Sequence, residues 1–118
     1  MSASTKRRYV PEKGDIIWLN FTPNTGREQG GRRPALVISP RGYNHKVGLA
    51  VCCPITSRIK GYPFEVILSK GLSVSGAILA DHLKNLDWRV RRAEFETRVP
   101  KAVMQEVLAK ISALLLEV

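Results

Sequence analysis

One stretch of the sequence decides the fold: Asp15-Ile16-Ile17-Trp18-Leu19-Asn20-Phe21. It is rich in β-branched and aromatic residues, which favour a pleated strand with one buried side. At a period of two residues, Ile17, Leu19 and Phe21 lie on the same face. The stretch therefore predicts the first strand of the domain.

Similar apolar runs recur along the chain, each bounded by glycine, proline, asparagine or serine. They predict further strands at Ala35–Ser39, Leu49–Cys53, Phe64–Leu68, Ala77–Leu83 and Leu86–Arg91. The last run alternates most clearly, because Leu86, Trp88 and Val90 are separated by charged residues. This predicts an apolar inner face and a mostly basic outer face. Together the short strands indicate a barrel or a strongly curled sheet.

The C-terminal segment has a different period. Its apolar residues recur at steps of three and four, namely Val103, Met104, Val107, Leu108, Ile111, Leu114 and Leu115. This stripe predicts a helix from about residue 100 to 116, which Pro100 is suited to start. The predicted fold class is α+β, a small curled antiparallel β-barrel closed by a packed C-terminal α-helix.

Size and charge indicate one small basic domain. The 118 residues are 44% apolar, so we expect a single domain over residues 1–118, with residues 1–8 as a flexible basic arm. The net charge of +9 predicts a polyanionic partner, with nucleic acid ahead of a membrane surface. We expect neither an export signal nor a transmembrane span.

The cysteines and histidines do not suggest a metal site. Cys52 and Cys53 are adjacent within an apolar run, so in a strand they point to opposite faces and do not bond to each other. Neither His45 nor His82 has an obvious partner, and both are expected to be surface or packed residues. We therefore predict no metal, no cofactor and no disulfide, and a reducing, cytoplasmic setting.

A glycine-rich segment from Thr22 to Arg33 joins the first two predicted strands and is a candidate functional loop. Its glycines let a ligand approach the backbone closely, so a phosphate would fit there. Arg33 precedes Pro34, which favours extended backbone and directs a guanidinium fork that matches phosphate oxygens. Glu28 is the acidic candidate, although alone it could equally be a solvated loop carboxylate.

A second candidate group follows the third predicted strand. Thr56 lies just beyond the strand end, where its hydroxyl could donate to a phosphate or form a turn with Ser57. Arg58 and Lys60 stand beside it and could be part of a generic solvated basic face. The overall charge favours a nucleic-acid track instead. Other basic residues that could belong to this track are Arg89, Arg91 and Arg92.

Several motifs occur in order and cover most of the chain. The opening includes Tyr9-Val10-Pro11, Gly14-Asp15-Ile16-Ile17-Trp18 and Arg33-Pro34-Ala35-Leu36-Val37-Ile38-Ser39-Pro40. Later motifs are Tyr43-Asn44, Pro54 with Thr56, Lys60-Gly61-Tyr62-Pro63-Phe64-Glu65-Val66, Ala80-Asp81, and Trp88-Arg89 with Arg91. At this order and spacing, the sequence resembles the MazF-type toxin family.

That resemblance implies an SH3-like barrel that forms a homodimer and acts as the endoribonuclease toxin of a type II toxin–antitoxin module. The family positions most strongly tied to catalysis fall on Arg33 and Thr56, and an associated acidic position falls on Glu28. The implied partner is a MazE-type antitoxin whose acidic, flexible tail lies across the toxin dimer. The residues predicted to bind RNA are Gln29, Arg32, Arg58, Lys60, Arg89 and Arg91.

The predicted reaction is metal-independent cleavage of single-stranded RNA, such as mRNA, by attack of the ribose 2′-hydroxyl on the adjacent phosphorus. The resemblance implies a short recognition motif of the ACA kind. Two alternatives stay open. One is a non-enzymatic inhibitor of DNA gyrase with the same fold, and the other is a basic barrel that binds RNA without cutting it.

Overall fold

The computed structural model describes residues 8–21 and 31–116, in which seven strands and two helices form an α+β fold. The predicted α+β class is confirmed. The strands are β1 (Asp15–Asn20), β2 (Arg32–Val37), β3 (Leu49–Thr56), β4 (Glu65–Ile67), β5 (Ala77–Leu79), β6 (Lys84–Asp87) and β7 (Glu94–Arg98). The helices are α1 (Arg41–Val47) and α2 (Lys101–Leu116). Of the predicted basic arm, only Arg8 lies within the described residues.

The strands form one antiparallel sheet in the order β4-β5-β3-β2-β1-β7, and β6 also pairs with β3. Within the described residues β4 and β7 do not pair with each other, so the sheet is open and not a closed barrel. Strand β3 has β2 on one edge. Its other edge pairs first with β6 and then with β5. This double pairing places the end of β3 beside the start of β5.

Both faces of the sheet carry a hydrophobic core. Ile16 and its neighbour Ile17 are both fully buried, one in each core, because adjacent strand residues point to opposite faces. Cys53 lies in the first core, which α2 covers, and Cys52 lies in the second. Both cysteines are free, as predicted. The predicted shared face of Ile17, Leu19 and Phe21 is confirmed in the second core.

The C-terminal helix confirms its predicted position but buries only part of the predicted stripe. The backbone N–H groups of Val103 and Met104 donate to the carbonyl of Pro100, which therefore stands just before the first turn. The residues buried against the sheet are Val103, Met104, Val107 and Ile111, with Leu108 partly buried. In the last turn Leu114 and Leu115 are exposed, which differs from the prediction.

Two elements were absent from the prediction, and one was misplaced. Strand β7 is largely charged and lies at the sheet edge, so it lacks an alternating apolar pattern. Helix α1 has one buried residue and therefore no apolar stripe. The predicted strand Leu86–Arg91 ends at Asp87, whose carboxylate accepts hydrogen bonds from the N–H groups of Arg89 and Val90 and so forms a turn. Val90 is consequently exposed, at 65%, instead of lying inward.

Asn44, on α1, is a fully buried polar residue that ties three segments together. Its amide nitrogen donates to the carbonyl of Pro11 at 2.8 Å and to that of Ser39 at 3.0 Å. Its side-chain oxygen accepts a hydrogen bond from the Ser39 hydroxyl. Its backbone carbonyl accepts one from the indole of Trp88 at 3.0 Å. These bonds hold the short helix against the sheet without an apolar stripe.

We expect Asn44→Ala to lower the free energy of unfolding by about 2–4 kcal/mol, because it leaves buried partners without their hydrogen bonds. Urea denaturation measures this loss. The matched control is Lys46→Ala in the same helix, since Lys46 is exposed. A loss for Asn44→Ala no larger than that of the control would contradict this role.

The two buried thiols also predict that the free energy of unfolding depends on pH. Burial raises the pKa of both Cys52 and Cys53 to about 12, whereas an unfolded thiol ionises near pH 8.5. The folded chain therefore keeps protons that the unfolded chain loses, and this contribution to stability falls as the pH rises from about 9 to about 12. We expect iodoacetamide to alkylate both thiols slowly in the native protein and rapidly in urea. Equal rates in the two states would show that the thiols are accessible.

Candidate active site

A cleft of about 720 Å³ lies beside the C-terminal end of β3. Arg33 reaches its wall from β2, Thr56 from the last position of β3, and Arg58 from the following loop. Trp18 of β1 and Ser75, which precedes β5, also line this cleft. The structure thus brings together Arg33 and Thr56, which the sequence placed in separate segments.

Thr56 is held by the turn that follows it. Its hydroxyl oxygen accepts a hydrogen bond from the backbone N–H of Arg58 at 3.1 Å. The oxygen is used as an acceptor, so the hydroxyl hydrogen remains able to donate to a group in the cleft. The turn-forming contact of Thr56 is therefore compatible with the predicted donation to a phosphate.

Gly76 packs against the backbone of Thr56 and was not identified from the sequence. A Cβ atom placed on Gly76 would lie 2.2 Å from the carbonyl oxygen of Thr56, and its φ angle is +122°. Only glycine combines that backbone angle with so close an approach. The sequence signal is an isolated glycine before a strand, which does not reveal the residue it contacts.

The adjoining loop is organised by a buried carboxylate, that of Glu65. It accepts hydrogen bonds from the backbone N–H groups of Lys60, at 3.1 Å to each oxygen, Gly61, at 2.9 Å, and Tyr62, at 3.3 Å. These amides would otherwise form an anion-binding concavity, and Glu65 occupies it from within the chain. The loop that carries Lys60 is therefore fixed beside Thr56.

A smaller pocket of about 280 Å³ continues the site past Thr56 and is lined in part by Lys60, Tyr62 and His82. The Tyr62 hydroxyl donates to Asp81 at 2.9 Å, and this hydrogen bond raises the pKa of Tyr62. The imidazole Nε2 of His82 lies 3.7 Å from the other oxygen of Asp81. His82, which had no obvious partner in sequence, thus lines the pocket with a neighbouring carboxylate.

Two of the predicted RNA-binding arginines make contacts within the fold. Arg32 donates to the Asn20 side chain at 3.1 Å and forms an ion pair with Glu94. Arg91 donates to the backbone carbonyls of Asn20, at 3.0 Å, and Phe21, at 2.7 Å. Both arginines join the end of β1 to the turn before β7, outside the cleft that contains Arg33.

The remaining predicted residues fall in three places. Arg58 and Lys60 lie at the candidate site, next to Thr56. Arg89 lies in a different cleft, where its guanidinium is 4.7 Å from the ring of Trp88. Glu28 and Gln29 lie outside the described residues.

Residues 8–21 and 31–116 contain neither a cluster of metal ligands nor a membrane-spanning helix. No group of three or more His, Cys, Asp or Glu residues in this part of the chain could hold a metal ion. In the same residues, no helix has the length and apolar character needed to cross a membrane.

The geometry defines a class of protein: a small basic α+β domain with a cleft lined by an arginine and a threonine hydroxyl, side chains of the kind that bind phosphate oxygens. Residues 12–115 match the family described as the PemK-like, MazF-like toxin of type II toxin–antitoxin systems. The chain belongs to this family, which confirms the resemblance.

Individual relatives agree with this assignment. The endoribonuclease toxin MazF of Escherichia coli K12 is 48% identical over 108 residues, which are 92% of this chain and 96% of the relative. A crystal structure of MazF from Deinococcus radiodurans has 58% identity and a TM-score of 0.83, covering 92% of this chain and 98% of the other. A MazE–MazF crystal structure from the same organism has 55% identity and the same TM-score, covering 92% and 97%.

We expect Gly76→Ala to destabilise the protein by about 2–4 kcal/mol, because the new methyl group would collide with the backbone of Thr56. Gly71→Ala is the matched control, since Gly71 also has a positive φ, +96°, but nothing lies within 4 Å of its Cβ position. It should cost only about 1 kcal/mol, the backbone penalty alone. Equal losses in denaturation experiments would show that the contact with Thr56 does not matter.

Proposed function

We propose that this chain is the endoribonuclease toxin of a type II toxin–antitoxin system and cleaves single-stranded RNA in the cleft beside β3. One observation carries the assignment of the site: Arg33 and Thr56 line the same cleft although they come from different strands. The activity is supported by the relatives, since the E. coli MazF and PemK proteins are both named endoribonucleases.

The reaction needs no nucleophile from the protein. The ribose 2′-oxygen attacks the adjacent phosphorus, so an O2′–P bond forms and the P–O5′ bond breaks. The 2′-hydroxyl loses its proton to a base, and the departing 5′-oxygen gains one. The products end in a 2′,3′-cyclic phosphate and a 5′-hydroxyl, and positioning with electrostatic stabilisation supplies most of the lowering of the barrier.

Arg33 and Thr56 have complementary roles in this proposal. The guanidinium of Arg33 stabilises the negative charge that grows on the phosphorus oxygens, and the Thr56 hydroxyl positions a non-bridging oxygen by donating to it. Arg33 is a poor general acid, because the pKa of arginine exceeds about 12. Glu28 is proposed to assist removal of the 2′-proton.

The substrate-binding residues follow from their places around the cleft. Arg58 and Lys60 would bind the phosphates nearest the scissile bond, since both stand beside Thr56. Arg89 would act further away. Gln29, Arg32 and Arg91 remain predictions, and the internal contacts of Arg32 and Arg91 indicate that they shape the surface more than they bind RNA.

The proposed protein partners are a MazE-type antitoxin and a second copy of this chain. The first is supported by the MazE–MazF structure of D. radiodurans and by the +9 charge, which suits an acidic antitoxin tail. The second is supported by the exposed leucines of the last helical turn, since they would be covered in a dimer. Because mRNA is the proposed substrate, the cytoplasm is the proposed site of action.

We expect purified protein to cut a long mixed-sequence RNA in the presence of EDTA, at one recurring short motif. The ends should be 5′-hydroxyl and 2′,3′-cyclic phosphate, and mapping them by sequencing also tests the predicted ACA-like motif. Arg33→Ala should lower kcat/KM by about a hundredfold or more, because the charge stabilisation is lost. Thr56→Val should lower it by about tenfold or more.

Lys101→Ala is the control for a lost surface charge, because Lys101 is exposed at the start of α2 and lines neither cleft. Its activity should equal that of the wild type.

Intact RNA with binding retained would indicate a passive RNA-binding protein. Inhibition of gyrase supercoiling without RNA cleavage would indicate the gyrase inhibitor, and loss of cleavage in EDTA would exclude metal independence.

A further inference from the structure

A second basic cleft, of about 470 Å³, lies away from the proposed active site. It is formed by the segment before β1, by α1 and by the turn after β6. Val10 and Trp88, which line it, belong to the second core, whereas Ile55 and Val74 of the active-site cleft belong to the first. The two clefts therefore lie against opposite faces of the sheet.

Positive charge is concentrated in this second cleft. Arg8, Arg41, Arg89 and Arg92 line it together with His45. In the described part of the chain, the ion pairs of arginine involve Arg32 and Arg98, so none of the cleft's arginines is neutralised by a described carboxylate. Such a concentration of charge attracts a polyanion, and guanidinium forks match the paired oxygens of a phosphate.

The backbone at Arg92 supports a binding role. Its φ angle is 57°, and within residues 8–21 and 31–116 it is the only residue other than glycine with a positive φ. A left-handed backbone is costly for an arginine, and glycine or asparagine would adopt it more easily. The turn is fixed all the same, since the Arg92 carbonyl accepts a hydrogen bond from Arg32 at 2.7 Å. Backbone strain of this kind clusters at functional sites.

A third depression adjoins the second cleft. It is lined by Asn20, Arg32, Arg92, Ala93 and Glu94. Arg92 therefore borders both this depression and the second cleft, while Arg32 directly precedes Arg33 of the active site. An RNA strand that passes from the active site around the start of β2 would reach the second cleft across this depression.

We propose that the second cleft binds the phosphates of the RNA strand at a distance from the scissile bond, so that longer substrates bind more tightly than short ones. This inference rests on the proposed function. RNA is favoured over an acidic peptide because the depression that adjoins the second cleft includes Arg32, which is the neighbour in β2 of Arg33 in the active site. The short segment around the scissile bond is held by the active site alone.

The test compares two oligonucleotides that share the cleavage motif and carry a 2′-deoxy sugar at the scissile position, so that neither is cut. One spans the motif, and the other extends it by about ten nucleotides on each side. Fluorescence anisotropy measures their Kd with the wild type and with the double variant Arg41→Gln/Arg92→Asn. Asparagine tolerates the left-handed backbone, so the turn should survive.

We expect the wild type to bind the long oligonucleotide more tightly than the short one, and the double variant to lose that advantage. Each lost phosphate contact reduces the salt slope by about 0.7, so two lost contacts reduce it by about 1.4. When the salt is raised from about 50 to about 200 mM, binding of the long oligonucleotide should therefore weaken about sevenfold less for the double variant than for the wild type. The Kd for the short oligonucleotide should not change.

Lys70→Gln/Lys101→Gln is the matched control, because it removes the same charge from exposed positions outside the clefts. The inference is overturned if the wild type binds the long and the short oligonucleotide with the same Kd. It is also overturned if the double variant binds the long oligonucleotide as tightly as the control does. Weaker binding of an acidic antitoxin peptide with unchanged RNA binding would assign the cleft to the peptide instead. Cleavage of the all-ribose oligonucleotide by the same samples reports separately on the proposed function.

Discussion

The rest of the structure depends on the double pairing of β3, which has β2 on one edge and both β6 and β5 on the other. Because the strand passes from β6 to β5, its last residue, Thr56, pairs with Ala77 and lies directly above Gly76. The same strand holds β2, from which Arg33 reaches the cleft. A single strand therefore sets the relative position of the two side chains proposed to act on the phosphate.

The distribution of arginines follows from strand geometry. Arg32 and Arg33 are neighbours in β2, so their side chains leave the strand in opposite directions. Arg33 lines the active-site cleft, whereas Arg32 is held by Asn20 and Glu94 beside the turn that precedes β7. One step along the chain thus separates a residue proposed for catalysis from one that organises the surface leading to the second basic cleft.

Elements with a strong apolar period were predictable, and those held by polar contacts were not. The period of α2 reflects burial of one side, and the apolar run of β1 reflects burial on both faces of the sheet; each leaves a record in the sequence. Helix α1 depends on the buried amide of Asn44, and β7 depends on its pairing with β1. A hydrogen bond to a distant residue leaves no periodic pattern. The predicted strand Leu86–Arg91 extends past Asp87 because Trp88 and Val90 continue the apolar alternation through a turn that local hydrogen bonds form.

By itself, the sequence determined the α+β class, the net positive charge, the separation of Cys52 from Cys53, and the candidate pair Arg33 and Thr56. These properties depend on composition, local period and motif order. Only the tertiary structure decided that Glu65 closes the loop beside Thr56 and that Gly76 packs beneath it. It also decided that a second cleft gathers arginines from three segments. The physical reason is that such contacts join residues far apart in the chain, and their geometry exists only after the strands have paired.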